Sequence, residues 1–149
     1  FLGVCSGSFR SCFCVMVHFA EPLGLDFDLV RFDDPVLEQA VRESSKPHRP
    51  GMESWVLQTQ PFWSKPRMEI GAGPIGQDVV CHFLALFGLD VSPLGIETKS
   101  WNQARRTGPS VAWRNPKYGL SLCGDWMQGD PLEDAYLSGI AAAGRLLSL

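Results

Sequence analysis

The chain has 149 residues, which is enough for one domain with a hydrophobic core. Its 45% hydrophobic and 19% charged residues are typical of a globular protein and exclude an intrinsically disordered one. The net charge of −3 gives no electrostatic basis for binding nucleic acid. The apolar opening is interrupted by Gly, Ser and Arg, so it predicts neither a signal peptide nor a membrane span.

The cysteines show no metal-binding spacing. The five include no C-x-x-C motif, and only Cys12 and Cys14 lie close together, so no zinc site is expected. Reduced thiols are typical of intracellular proteins, and we therefore expect an intracellular, cytoplasmic location.

The histidines and the clustered aspartates also predict no metal site. His18 lies in an apolar segment and is expected in the core, whereas His82 and Asp78 are one helical turn apart and are expected to form a surface pair. The aspartates at 26, 28, 33 and 34 lack the glycine and the terminal glutamate of an EF-hand.

Apolar patterns predict the strands of one sheet. Residues 11–19 and 53–60 are rich in β-branched and aromatic side chains, and further strand patterns lie within 96–113 and 118–125. Residues 25–32 alternate apolar and acidic side chains, which favours a half-exposed strand or an extended loop. We predict an α+β fold with a mixed, mostly antiparallel sheet flanked by helices.

Two internal segments carry helix signals. Asp34 suits an N-cap and Pro35 the first helical position, so a short helix is predicted from there to about Glu43. Residues 75–87 carry apolar side chains at i, i+4 spacing, and Gly88 follows where a C-terminal cap belongs.

The stretch Gly71-Ala72-Gly73-Pro74-Ile75-Gly76 matches G-x-G-x-x-G, the dinucleotide-binding fingerprint. That fingerprint requires a buried strand directly before it, at residues 66–70. Pro66 cannot donate to a sheet, and the charged residues beside it do not suit a strand buried on both faces. Two readings follow: an NAD-binding module that uses Gly71–Gly76, or a glycine-rich turn ahead of an ordinary helix.

The C-terminal stretch is the richest in signals. A short strand ends at Gly124-Asp125, which places a carboxylate at the carboxyl end of a strand, and Trp126 follows directly. A helix is predicted over 131–147, with Asp130 as its N-cap. The free N–H groups of such a helix start can face an anion or a polarised carbonyl.

This stretch, with GDW, EDA, SG and AA in that order, resembles the C-terminal flavin-binding motif of FAD-dependent, amine-oxidase-like flavoproteins, and it is most similar to their renalase-like branch. The stretches FCVMVHFAEPLGLDFD and ESSKPHRPGMESWVLQTQPFWSKPRMEI resemble the substrate domain of that branch. The resemblance covers about residues 10–148. It implies a partial substrate-binding domain over 1–115 and, over 116–149, the last strand and helix of a Rossmann-like FAD domain.

By this resemblance, Gly124 and Asp125 would contact the ribityl–phosphate part of FAD, and Trp126 would line the flavin edge. Leu132 and Glu133 would offer backbone N–H groups to the flavin pyrimidine. The implied activity is hydride transfer from a reduced nicotinamide-type or amine substrate to flavin, with reoxidation by O₂. No catalytic acid–base residue is identified.

Aromatic residues are the candidates for the substrate pocket. Trp55, Trp63 and Trp101 could line it, although each is also suited to the core. In the renalase-like branch the dinucleotide fingerprint precedes all the segments matched here, so Gly71–Gly76 is expected to be a coincidence. The chain would then be an enzyme part, or a truncated, non-catalytic fragment that associates with the missing N-terminal FAD-binding half.

Overall fold

The computed structural model describes residues 8–49, 51–107, 113–128 and 131–147. The strands are β1 (Ser8–Phe19), β2 (Leu29–Arg31), β3 (Leu37–Arg42), β4 (Glu53–Thr59), β5 (Gly95–Thr107), β6 (Trp113–Asn115) and β7 (Leu120–Leu122). The α-helices are α1 (Pro61–Ser64), α2 (Ala72–Leu86), α3 (Asp125–Gln128) and α4 (Pro131–Leu147). The helices within the described ranges are too short or too polar to cross a lipid bilayer.

The chain divides into two compact units. The sheet unit, Ser11–Asn102, contains α1, α2 and most of the larger sheet. The terminal unit, Phe1–Arg10 with Gln103–Leu149, contains β6, β7, α3 and α4. The assignment of 1–115 and 116–149 to substrate and FAD domains stays a prediction.

The larger sheet has five strands in the order β2-β3-β4-β1-β5. β2 pairs with β3, β3 with β4 and β4 with β1, all antiparallel. The predicted α+β class with an antiparallel sheet is therefore confirmed.

One face of this sheet makes the core with α2. The odd-numbered residues of β4, and those of β1 from Ser11 to Phe19, are buried, among them Val15, Val17, Trp55 and Leu57. They belong to one cluster with the buried α2 side chains Ile75, Val79, Val80 and Phe83. The alternation of burial along each strand follows from the two-residue period of a β-strand.

The third glycine of the G-x-G-x-x-G stretch serves this packing. A Cβ on Gly76 would lie 2.2 Å from Thr98 Oγ1 and 2.9 Å from Ile96 Cγ2, so α2 lies against β5 with no room for a side chain. The residues before the stretch form a 3₁₀ helix at Lys65–Arg67 and then a turn, where the NAD-binding reading requires a buried strand. Packing of α2 against β5 accounts for Gly76, the third glycine of the motif.

The helix predicted from Asp34 to Glu43 is wrong, because Leu37–Arg42 is strand β3. Asp34 does act as a cap: its Oδ1 accepts the N–H groups of Val36 (2.8 Å) and Leu37 (2.7 Å). The same turn can lead into a helix or a strand, and here pairing of β3 with both neighbours decides for the strand.

Asp34 also ties β3 to α2. His82 Nε2 lies 3.0 Å from both carboxylate oxygens of Asp34, so His82 does not form the expected pair with Asp78. Burial acts to raise the pKa of Asp34, but the hydrogen bonds from Leu37, His82 and Val36 outweigh it and lower the pKa.

Replacing Gly76 by Ala should lower the free energy of unfolding by about 1–3 kcal/mol, because the added methyl overpacks the contact with Thr98. Gly73→Ala is the matched control on the same helix, since no atom lies within 4 Å of its Cβ position. Urea unfolding of both variants measures the difference. Equal effects would contradict the packing role of Gly76.

Stability should fall at acid pH through Asp34. Its pKa is lower in the folded chain than in the unfolded chain, so its contribution is present above the ordinary value of about 4 and is lost as pH falls through the folded pKa. Asp34→Asn should be less stable than the parent near neutral pH by about 1 kcal/mol. Unfolding measured from pH 7 to pH 3 should show this gap closing, and a constant gap would contradict the assignment.

Candidate functional site

The candidate flavin-binding residues lie in the terminal unit. There β7 pairs with β6 antiparallel, with Leu120 opposite Asn115, and the chain then bends at Gly124 into α3. Helix α4 packs against both β7 and α3. The predicted sequence of strand, Gly-Asp bend and long helix is therefore present.

A buried serine fastens the bend to α4. The Gly124 N–H donates to Ser138 Oγ at 2.8 Å, and the Ser138 hydroxyl donates to the Ala135 carbonyl at 2.8 Å. Ser138 is only 3% exposed, so both roles of its hydroxyl are used inside the protein. Sequence reasoning did not identify Ser138, although it belongs to the SG pair of the quoted motif.

The indole ring of Trp126 lies close against Gly124. A Cβ on Gly124 would lie 2.5 Å from Trp126 Nε1, so the tryptophan folds back over the glycine. The carboxylate of Asp125 is exposed, and its Oδ1 accepts a hydrogen bond from the backbone N–H of Trp126 at 2.7 Å. The chain thus bends over Gly124–Trp126. Position 124 must be glycine because the Trp126 indole leaves no room for a Cβ there.

The start of α4 holds the other two candidates. Leu132 and Glu133 lie in its first turn, and Glu133 is exposed. The predicted N-cap, Asp130, lies outside the described residues. With Asp134, Glu133 places two carboxylates in the first turn, which suits the helix dipole and repels a phosphate. A neutral hydrogen-bond acceptor fits this helix start better than an anion.

The tryptophans proposed for the substrate pocket have separate environments. Trp55 is 1% exposed, donates its Nε1–H to Glu53 Oε1 at 2.9 Å and has the Arg42 guanidinium 4.9 Å from its ring centre. Trp63 packs edge-on to Phe13 at 6.3 Å.

Trp101, the third, is 50% exposed on β5. Trp55 therefore belongs to the core, Trp63 packs against the core, and Trp101 is half exposed to solvent.

A cleft of about 480 Å³ lies within the sheet unit, on the outward positions of β1 and β4. Its lining residues include Met16, His18, Ser54, Trp55 and Val56 from the two strands, Glu97 from β5, and Glu43, Ser44, Arg49 and Met52 from the connection between β3 and β4. Of the three tryptophans proposed for a pocket, only Trp55 lines it, and sequence reasoning identified none of the other lining residues as part of a pocket. Side chains alternate between the two faces of a strand, and one face of β1 and β4 forms the core. The polar and half-buried residues on the other face are the sequence signal for this cleft.

Two polar side chains that line the cleft, His18 and Glu43, have defined partners. His18 was expected in the core and is instead exposed, with its Nδ1 2.8 Å from Ser54 Oγ. The Glu43 carboxylate pairs with both Lys46 and Arg49. Burial and the nearby Glu43 charge raise the pKa of Cys14, which disfavours a reactive thiolate.

Replacing Ser138 by Ala should lower the free energy of unfolding by about 1–3 kcal/mol, because the Gly124 N–H loses its acceptor. Ser100→Ala, at an exposed position of β5, is the control and should change stability little. Denaturant unfolding followed by circular dichroism compares the two. A Ser138→Ala chain as stable as the control would show that the bend is held by other contacts.

Comparison with protein-family models does not assign this chain to a family. No family model matches the sequence. The likeness to renalase-like flavoproteins rests on short sequence motifs alone, such as GDW and EDA near the C-terminal helix.

Proposed function

We propose that this chain supplies a substrate-domain sheet and the closing FAD-contact segment of a renalase-like, FAD-dependent oxidoreductase. The observation that carries the proposal is the bend Gly124–Trp126, which a buried serine fastens to α4. The proposal rests on two supports: the resemblance of the sequence around this bend, and the chemistry that the bend and the helix start offer.

Each candidate residue has a role that suits its environment. The exposed Asp125 carboxylate can accept a hydrogen bond from a ribityl hydroxyl. The first turn of α4, at Leu132 and Glu133, has backbone N–H groups without partners inside the helix, and these suit the carbonyl edge of the flavin pyrimidine. The two acidic residues of this turn agree with a neutral ring rather than a phosphate as the occupant.

The chemistry belongs to the cofactor, and the chain's part is to hold it. Asp125 and the first turn of α4 would hold FAD, which would supply hydride acceptance from a reduced nicotinamide-type or amine substrate and reoxidation by O₂. Within the described residues we assign no proton-transfer role. Trp126 contributes an aromatic edge beside the bend that Gly124 makes possible.

Helix α4 supports the need for a covering partner. Its side chains Tyr136, Ile140 and Leu147 are 70%, 52% and 88% exposed, and their spacing places them along one side of the helix. An apolar stripe of this kind marks an interaction surface. We propose that an N-terminal dinucleotide-binding half covers this apolar stripe. Without that half, the chain would be the non-catalytic fragment considered as the alternative.

Titration with FAD tests the proposal, with flavin fluorescence and visible absorption as readouts. The full chain is titrated alone and after co-expression with the βαβ dinucleotide-binding unit of an amine-oxidase-like flavoprotein. Stoichiometric binding is expected with that unit present. Asp125→Ala should weaken binding about tenfold through loss of a charged hydrogen bond, while Asp90→Ala, an exposed aspartate in the sheet unit, should have no effect.

Failure to bind FAD under both conditions would overturn the proposed function. Binding that is equally strong in the Asp125→Ala and Asp90→Ala chains would retain a flavoprotein but remove the assigned role of the bend.

A further inference from the structure

Among the strands that the structure describes, β5 has no neighbour along its outer edge. β5 is the last strand in the order β2-β3-β4-β1-β5, so only its inner edge, toward β1, is paired within the sheet. The His18 carbonyl points toward β5 and accepts the Leu94 N–H at 2.8 Å, and the side chains of His18 and Glu97 line the same cleft. Opposite residues of neighbouring antiparallel strands share a face and point their backbone groups at each other, so those of Glu97 and Lys99 point toward β1. The backbone groups of Ile96, Thr98 and Ser100 therefore point outward.

The side chains at this edge also alternate. Ile96 and Thr98 lie against Gly76 of α2. Glu97, Lys99 and Trp101 therefore belong to the opposite face, where Glu97 lines the cleft. Within the described part of the chain neither Glu97 nor Lys99 has an ion-pair partner.

We propose that this edge pairs with the same edge of a second copy of the chain, antiparallel and about a two-fold axis at Thr98. In that register Glu97 lies opposite the second copy's Lys99, and Lys99 opposite its Glu97, so both charges are paired twice by symmetry. Thr98 lies opposite Thr98 of the second copy, and the outward backbone groups of Ile96, Thr98 and Ser100 exchange N–H···O bonds with those of the second copy.

The same register places Trp101 opposite Gly95 of the second copy. Trp101 is half exposed, and nothing lies within 4 Å of the Cβ position of Gly95, so the indole has an open surface to cover. Pairing of an aromatic ring with an edge glycine is a known source of cross-strand stabilisation.

The charges on this edge select the partner. A lysine on an edge strand usually opposes pairing with other strands. Here Glu97 and Lys99 lie two residues apart on one face of β5. In the symmetric antiparallel register, and in no other, each lies opposite the residue of opposite charge in the second copy. Residues 95–102 contain no proline that would interrupt the pairing.

Sedimentation velocity of the full chain over a range of concentrations tests the proposal. The parent chain should show a monomer–dimer equilibrium. Glu97→Lys and Lys99→Glu, each made alone, convert two attractive pairs into repulsive ones and should weaken self-association by about tenfold or more. Glu69→Lys, an exposed glutamate away from β5, is the control and should leave association unchanged.

Two outcomes are specific to the proposed register. An equimolar mixture of the Glu97→Lys and Lys99→Glu chains should associate more strongly than either alone, because both cross-strand pairs are then opposite in charge. The amides of Ile96, Thr98 and Ser100 should also exchange hydrogen more slowly as parent concentration rises. A parent chain that stays monomeric, or a mixture no stronger than its components, would overturn the proposal.

Discussion

The two-residue alternation shared by β1 and β4 is the constraint on which the sheet unit depends. The register places Val15 opposite Leu57 and Val17 opposite Trp55, so buried positions of the two strands lie side by side under α2. A slip of one residue would turn these side chains outward and bring His18 into the core. The core and the cleft are therefore set by one register, because they are the two faces of the same strands.

A buried charge fixes one end of this arrangement. Glu53, at the start of β4, is 9% exposed and accepts hydrogen bonds from Trp55 Nε1 at 2.9 Å and Ser44 Oγ at 3.1 Å. Arg42 Nε lies 3.4 Å away, where it compensates the charge without making a hydrogen bond. The same guanidinium donates to the Leu25 carbonyl, so it joins the connection after β1 to the sheet. Removing Arg42 would leave an uncompensated buried carboxylate, which is strongly destabilising.

Local patterns predicted the elements whose signals lie within a few residues. The helix at 75–87 and the strands at 11–19 and 53–60 correspond to α2, β1 and β4, because apolar periodicity reports which face of an element is buried. The segment after Asp34 was misread, since its capping turn fits a helix or a strand and only pairing with distant neighbours decides between them.

The candidate site was predictable in its outline and not in its contacts. The bend at Gly124 and the helix from 131 follow from glycine and proline positions. The close approach of Trp126 to Gly124 and the hydrogen bond from the Gly124 N–H to Ser138 depend on tertiary structure. The link between Asp34 and His82, 48 residues apart, likewise has no local signal.

The central position of β1 has a consequence for synthesis of the chain. Phe13 is joined to Thr59, 46 residues later, by a hydrogen bond of 2.8 Å, and the strand on the other side of β1 is β5, which begins only at Gly95. During synthesis the apolar segment SCFCVMVHF therefore has no sheet neighbour until β4 has been made, and its second neighbour begins only at Gly95. Such delayed long-range pairing slows folding and exposes aggregation-prone intermediates. Chaperones that hold nascent chains would therefore find a binding segment in β1.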